Sequence, residues 1–212
     1  MSGPRHSPTS RARMARRQQS SEATVPPLFA SDPDLFHNAH LDRGFISWGL
    51  YADGYRRAAE LLVKQAKTYR DRNTLIYPIV FLYRQYLELS LKDFITQGNR
   101  VEVRNPRPMH HRLNALWDIC CRIARERGLP ISKGRLRIIK QHVDEFERFD
   151  PTSEAFRYPV TTKNTPSIPD HGRRLSLRGL AAAMRGFSKA FRELSSLLDA
   201  DVDIYEEFAY DE

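Results

Sequence analysis

Residues 77–95, YPIVFLYRQYLELSLKDFI, form the most apolar run in the chain, and a charged ladder is threaded through it. Ile79, Leu82, Tyr86, Leu89 and Ser90 fall on one helical face, and Val80, Leu87, Leu91 and Phe94 widen the apolar surface. A helix apolar over so much of its circumference has to be packed on several sides. Arg84, Glu88 and Lys92 recur at i, i+4 and i+8, so they can pair along the helix. That spacing suits an exposed salt-bridge face. The other arrangement is a charged stripe in a cleft or a dimer seam, because Glu88 is flanked by Leu87 and Leu89.

The rest of the chain is read around this helix. Trp48, Ala52, Tyr55, Ala59, Leu62 and Ala66 predict a helix over residues 45–69. A polar turn over 70–73 then leads into the central helix, with Pro78 in its first turn and Gly98 at its end. Leu113, Leu116, Trp117, Cys120 and Ile123 predict a third helix over 111–127. A fourth runs from Ser132, a plausible N-cap, to residue 149, with Leu136, Ile139, Val143 and Phe146 as its stripe. Its basic first half and acidic second half oppose the helix dipole, an order that suits an external partner. The last helix, 175–198, carries Leu177, Leu180, Met184, Phe187, Phe191, Leu194 and Leu198 at unbroken +3 and +4 steps, a seam against another helix in this chain or a second copy. No strand-like alternation of useful length is present. The expected fold is an all-α, up-and-down bundle of about five helices with disordered termini. A basic tail (1–26) and an acidic tail (199–212) flank the domain (27–198). The loop over 150–174 is expected to be pinned by Phe156, Tyr158 and Pro159.

Composition limits the classes of function. The net charge of +8 divides unevenly: residues 1–26 carry +4 and residues 199–212 carry −7, which leaves +11 on the domain. Of 34 basic residues 27 are arginine, whose planar fork of donors suits phosphate. The acidic tail could lie on the basic body as an electrostatic pseudo-ligand. The only cysteines, Cys120 and Cys121, are adjacent, which points to free thiols and a reducing, cytoplasmic location. No apolar run approaches the ~20 residues of a membrane span, and the Arg-rich start lacks the apolar core of a secretory signal. His37 and His40 have H-x-x-H spacing but no third ligand nearby, so neither a metal site nor a cofactor is expected. P-loop, G-x-G-x-x-G, G-x-S-x-G and H-E-x-x-H motifs are absent.

The strongest physical signal is a basic stretch. Residues 100–140 hold eleven basic and three acidic side chains. Arg100, Arg104, Arg107, Arg112, Lys133, Arg135, Arg137 and Lys140 are candidate phosphate ligands, joined by Arg173 and Arg174. Aromatic residues are sparse there, which favours phosphate contact over base stacking. Asp144, Glu145 and Glu147 read as a solvated face.

The segment LYRQYLELSLKDFI, with Glu88-Leu89-Ser90-Leu91-Lys92, precedes His111-Arg112-Leu113-Asn114-Ala115-Leu116-Trp117. Together these resemble the HEPN superfamily, whose central helix often ends in an E-L-x-L-K-like run followed by an H-x-L-x-x-L helix. Phe156-Arg157-Tyr158-Pro159 is similar to an R-Y-P found before the last helix in some members. The resemblance spans residues 45–198. It implies a bundle of four or five helices, usually dimeric, that is either a metal-independent endoribonuclease or a non-catalytic module binding nucleic acid, nucleotide or a partner protein.

Ribonuclease members carry R-x(4–6)-H. Here Arg104 pairs in this way with His110 and His111, and Arg135 and Arg137 with His142. With seven histidines and 27 arginines in 212 residues, about three such matches arise by chance. The chemistry suits these types: histidine transfers a proton at a ribose hydroxyl and arginine stabilises phosphorane charge. The leading expectation is an RNA- or nucleotide-phosphate-binding module, non-catalytic or weakly catalytic. The alternatives are a metal-independent endoribonuclease of toxin or defence type and a protein-interaction module using the last helix and acidic tail. A homodimer is the expected assembly.

Overall fold

The computed structural model describes residues 28–39, 47–99, 110–168 and 174–209. The chain divides into two compact units, Met1–Phe45 and Ile46–Glu212. Among the described residues of the first, a 3-10 turn spans Leu35–His37. Asp32 and Asn38 close the segment around it: the Asp32 amide donates to Asn38 Oδ1 at 2.7 Å and Asn38 Nδ2 donates back to Asp32 O at 2.8 Å. His37 pairs with Asp34 at 3.2 Å. Its H-x-x-H companion, His40, lies outside the described residues, as does the tail over 1–26.

The described residues of the second unit form an all-α up-and-down bundle of five helices: α1 (Trp48–Gln65), α2 (Tyr69–Gly98), α3 (Leu113–Glu126), α4 (Lys133–Phe149) and α5 (Leu177–Ala209). Among the described residues there is no strand, only an isolated bridge between Val160 and Pro166. None of the described helices is long and apolar enough to cross a membrane. The apolar run of α2 explains the arrangement. It packs against α1, α3 and α5 at once, while α4 bridges α3 and α5. Ile79, Leu87, Leu91 and Ile95 are fully buried at its centre.

The α1–α2 turn falls earlier than the polar run suggested, at residues 66–68. Thr68 and Asp71 form a reciprocal capping box, so Arg70 and Asn73 belong to the helix. That early start places Pro78 inside α2 rather than in its first turn. Gly98 is the last residue of α2, but Asn99 keeps right-handed helical backbone, so Gly98 is not needed for a left-handed stop. Its role is close packing: a Cβ there would lie 2.7 Å from Ile123 Cγ2 of α3. Ser132 caps α4, accepting from the Arg135 amide.

The α5 seam is covered within this chain. Phe187 meets Tyr86 edge-on at 5.6 Å, and Phe191 meets Phe94 at 6.0 Å. The helix does not stop at residue 198. Val202 continues the stripe into the core, and Asp201 binds Arg127 at 2.6 Å, so the acidic residues 199–209 are helical. Residues 210–212 lie outside the described part. The loop after α4 is held by Phe156, which packs on the core, whereas Tyr158 and Pro159 are exposed and do not pin it.

Filling the α2–α3 contact at Gly98 should destabilise the bundle. Gly98→Ala gains up to ~1 kcal/mol of helix propensity but forces Ile123 aside, an overpacking cost of about 1–3 kcal/mol. Urea unfolding followed by circular dichroism should show a lower midpoint for Gly98→Ala, restored in part by adding Ile123→Val.

Candidate functional site

Arg84, Glu88 and Lys92 do not form an exposed ladder. They are 0%, 1% and 5% exposed, which places the charged stripe inside the bundle. The three remain paired. Arg84 Nη1 donates to Glu88 Oε2 at 2.5 Å, and Lys92 Nζ donates to Glu88 Oε1 at 2.8 Å. The Lys92 ammonium also stands 5.6 Å from the Trp48 ring centroid. Burial works against ionisation of Glu88, but the hydrogen bonds from Lys92 and Arg84 outweigh it, and the carboxyl is held below its ordinary value of 4.5.

Arg84 joins three distant parts of the chain. Its Nε donates to the Asp150 carbonyl at 3.1 Å, and its Nη2 donates to the His111 carbonyl at 2.8 Å. Asp150 is fully buried just past α4. Its Oδ1 accepts from the Glu154 and Ala155 amides at 2.8 and 3.0 Å, turning the chain into the following loop. Its Oδ2 makes no hydrogen bond and lies 3.5 Å from Arg84 Nε. Arg84 and Lys92 thus balance Glu88 and Asp150 in the interior.

His111 stands at the mouth of this network. Its Nδ1 lies 2.8 Å from Glu88 Oε1, while 61% of its side chain is exposed. A carboxylate at Nδ1 selects the tautomer with the proton there, leaving Nε2 as the acceptor of the neutral ring. The segment carrying His111 is clamped from the other side by Glu147 of α4. Glu147 Oε2 accepts the Leu113 amide at 2.8 Å, and Oε1 accepts Arg112 Nε at 2.6 Å. Arg112, the N-cap of α3, supplies no side-chain cap of its own, so Glu147 serves that helix end from across the bundle. Glu147 is therefore buried rather than part of a solvated face, while Asp144 and Glu145 remain exposed.

The other candidates are dispersed. His110 is exposed beside His111. His142 is half-buried. Its Nδ1 donates to the Ile138 carbonyl at 2.6 Å, and its ring lies 6.2 Å from that of Phe187. Arg137 is five residues earlier on α4, about 140° around the helix, and exposed, so this Arg–His pair is not brought together. Arg135 shares the His142 side of the helix but is bound to Glu193 at 2.5 Å. Lys140 is bound to Asp144 and Arg112 to Glu147. Lys133, Arg137 and Arg174 are exposed and form no ion pair among the described residues. Arg100, Arg104, Arg107 and Arg173 lie outside the described residues. The basic stretch is thus partly neutralised by its own acids.

Sequence reasoning missed Asp150 and Glu147. Their signal was indirect: an acid-rich end on α4, opposed to its own dipole, marks a helix whose acids serve something else. Compared with family models, with curated proteins and with solved structures, the chain matches none.

Removing the central carboxylate should be costly in a pH-dependent way. Glu88→Gln leaves the buried Lys92 without a counter-charge and Arg84 with Asp150 alone, at 3.5 Å, and should lose about 3 kcal/mol or more at pH 7. The folded carboxyl is held below 4.5, so its contribution is complete above that value and fades as pH falls through the lower folded value. Denaturant unfolding at pH 7 and pH 3.5 should show the gap between wild type and Glu88→Gln narrowing in acid.

Proposed function

We propose that this protein is a HEPN-like helical module that binds the phosphates of RNA or a nucleotide where the chain enters α3. The observation that carries this reading is His111, an exposed imidazole held by a buried carboxylate, with its second nitrogen left for a ligand. His110 and Arg112 flank it, and Arg100, Arg104 and Arg107 precede it within eleven residues of sequence. Protonated histidine and arginine together make a phosphate site of the charge-assisted kind. The free thiols suit a reducing compartment, and we place the protein in the cytoplasm. Association with a second copy would have to use a face other than the α5 seam, which α2 and α4 cover.

A second reading is favoured by the same pair. Glu88 fixes the His111 tautomer that presents a lone pair at Nε2, as a general base acting on a ribose 2′-hydroxyl requires. In that reading the protein is a metal-independent endoribonuclease, with a neighbouring guanidinium stabilising the phosphorane.

Labelled single-stranded RNA titrated at increasing NaCl separates the readings from their failure. Binding through about four phosphates should give a log–log salt slope near −3. His111→Ala combined with Arg112→Ala should weaken it at least about tenfold, the scale of two lost charge-assisted contacts. Cleavage of the same RNA in EDTA by wild type, abolished by His111→Ala, selects the ribonuclease reading. No binding of RNA or mononucleotide at 50 mM salt overturns both.

A further inference from the structure

The loop that follows α4 is built against one face of α2. Gln85 Nε2 donates to Ser153 Oγ at 2.7 Å, and Arg157 Nε donates to the Ser153 carbonyl at 2.6 Å. Ser153 takes a left-handed backbone with φ of 65° to make this turn. The Arg157 guanidinium lies 5.9 Å from the Phe81 ring of α2 and 5.5 Å from the Tyr158 ring. Further on, the chain doubles back. The Thr161 amide donates to the Thr165 carbonyl at 2.7 Å, and the Ser167 amide donates to the Pro159 carbonyl at 3.1 Å. The returning limb and the first half of α2 enclose a cavity of about 320 Å³, with Tyr77, Phe156, Arg157, Tyr158, Pro166 and Ile168 among its walls.

The wall chemistry restricts what can enter. Most of it is flat and apolar, from aromatic rings and prolines. Tyr77 and Tyr158 are 49% and 55% exposed, so both rings are open to a guest in the cavity. The one charged side chain in the wall is Arg157, which forms no ion pair among the described residues and so repels a cationic guest. Its single described hydrogen bond uses Nε, which leaves the two terminal nitrogens as donors. A guest that satisfies all of this has a planar ring and an anionic group beside it. The volume is at the lower end of small-ligand sites, enough for one such unit.

We infer that the cavity between the 155–168 loop and α2 is a nucleotide subsite, with a base against Tyr77 and Tyr158 and its phosphate on Arg157. Base–aromatic stacking with an arginine alongside is the common way to hold a single unpaired nucleotide. The nucleotide could be free or part of a single strand. For the strand, the inference rests on the RNA-binding reading above. Tyr77 and Glu88 are eleven residues apart on α2, about 16 Å along its axis, a span that a short single-stranded segment can bridge to reach His111.

The full-length protein should be titrated with adenosine 5′-monophosphate, with adenosine, and with a labelled octa-adenylate. Arg157→Met, Tyr158→Ala and Tyr158→Phe are the variants, all at exposed positions, and adenosine binding reports whether the loop keeps its shape without the Arg157–Ser153 bond. Saturable binding of the monophosphate is expected. Tyr158→Ala should weaken it about 5- to 100-fold, the range of one lost stacking contact, and Tyr158→Phe should retain it. Arg157→Met should weaken the monophosphate at least fivefold and leave adenosine unchanged. Monophosphate affinity lost in Tyr158→Ala without any octa-adenylate binding supports a subsite for free nucleotide and fails the RNA reading alone. Octa-adenylate binding lost in the His111/Arg112 variant but untouched by Tyr158→Ala and Arg157→Met overturns the subsite and leaves the RNA reading standing. Absence of saturable monophosphate and octa-adenylate binding also overturns it.

Discussion

One buried carboxylate organises the bundle. Glu88 accepts from Arg84 and Lys92 on its own helix and from His111 across the α2–α3 contact. Without it, Lys92 would be buried with no counter-ion and Arg84 would keep only Asp150, a large desolvation cost. With it, Arg84 has donors left over, and these reach the carbonyls of His111 and Asp150. A pairing local to one helix therefore becomes the means by which segments 27 and 66 residues away are fixed. Packing of Leu87, Leu91 and Ile95 supplies the cohesion, and the charge network supplies the register.

The same residues link the scaffold to the candidate chemistry. An imidazole on a mobile loop has no preferred tautomer, whereas His111 has a carboxylate at one nitrogen and solvent at the other. Its backbone is held by Arg84, and the next turn is held by Glu147. Farther along α2, Phe81 and Gln85 seat the loop that shapes the aromatic cavity. One face of one helix thus presents a polar station and an aromatic one, although the basic stretch itself carries few aromatic residues.

Much of the fold was legible because apolar side chains recur at helical spacing. The stripes of α1, α3, α4 and α5 are buried or packed against the core where their periodicity placed them, and Val202 was visible as the next step after Leu198. The acidic character of residues 199–212 obscured that step, since charge and stripe gave opposite readings of the same segment. The start of α2 was also written in the sequence, as Thr68 followed three residues later by Asp71, but the polar run 70–73 outweighed it. The site was less legible for a physical reason. An i, i+4, i+8 ladder has the same spacing on a wet surface and in a dry core, and only the neighbours in space distinguish them. Asp150 and Glu147 acquire their roles from backbone groups of other segments, which leave no pattern in sequence. The cavity depends on a loop that folds back on itself, and its aromatic residues lie outside the basic stretch.

The capping of α3 by a residue of α4 has a consequence for synthesis on the ribosome. A fourteen-residue helix is short for independent stability, and this one brings no side-chain cap of its own. Its missing partner, Glu147, emerges thirty-four residues after Leu113. Asp150, which Arg84 needs in order to hold the His111 carbonyl, emerges later still. Until α4 is complete, the charges of α2 are solvated rather than buried, and Arg84 lacks the Asp150 carbonyl that it later binds. The imidazole is set in place at that moment, so the candidate site arises from closure of the bundle and not from any part of the chain that folds before it.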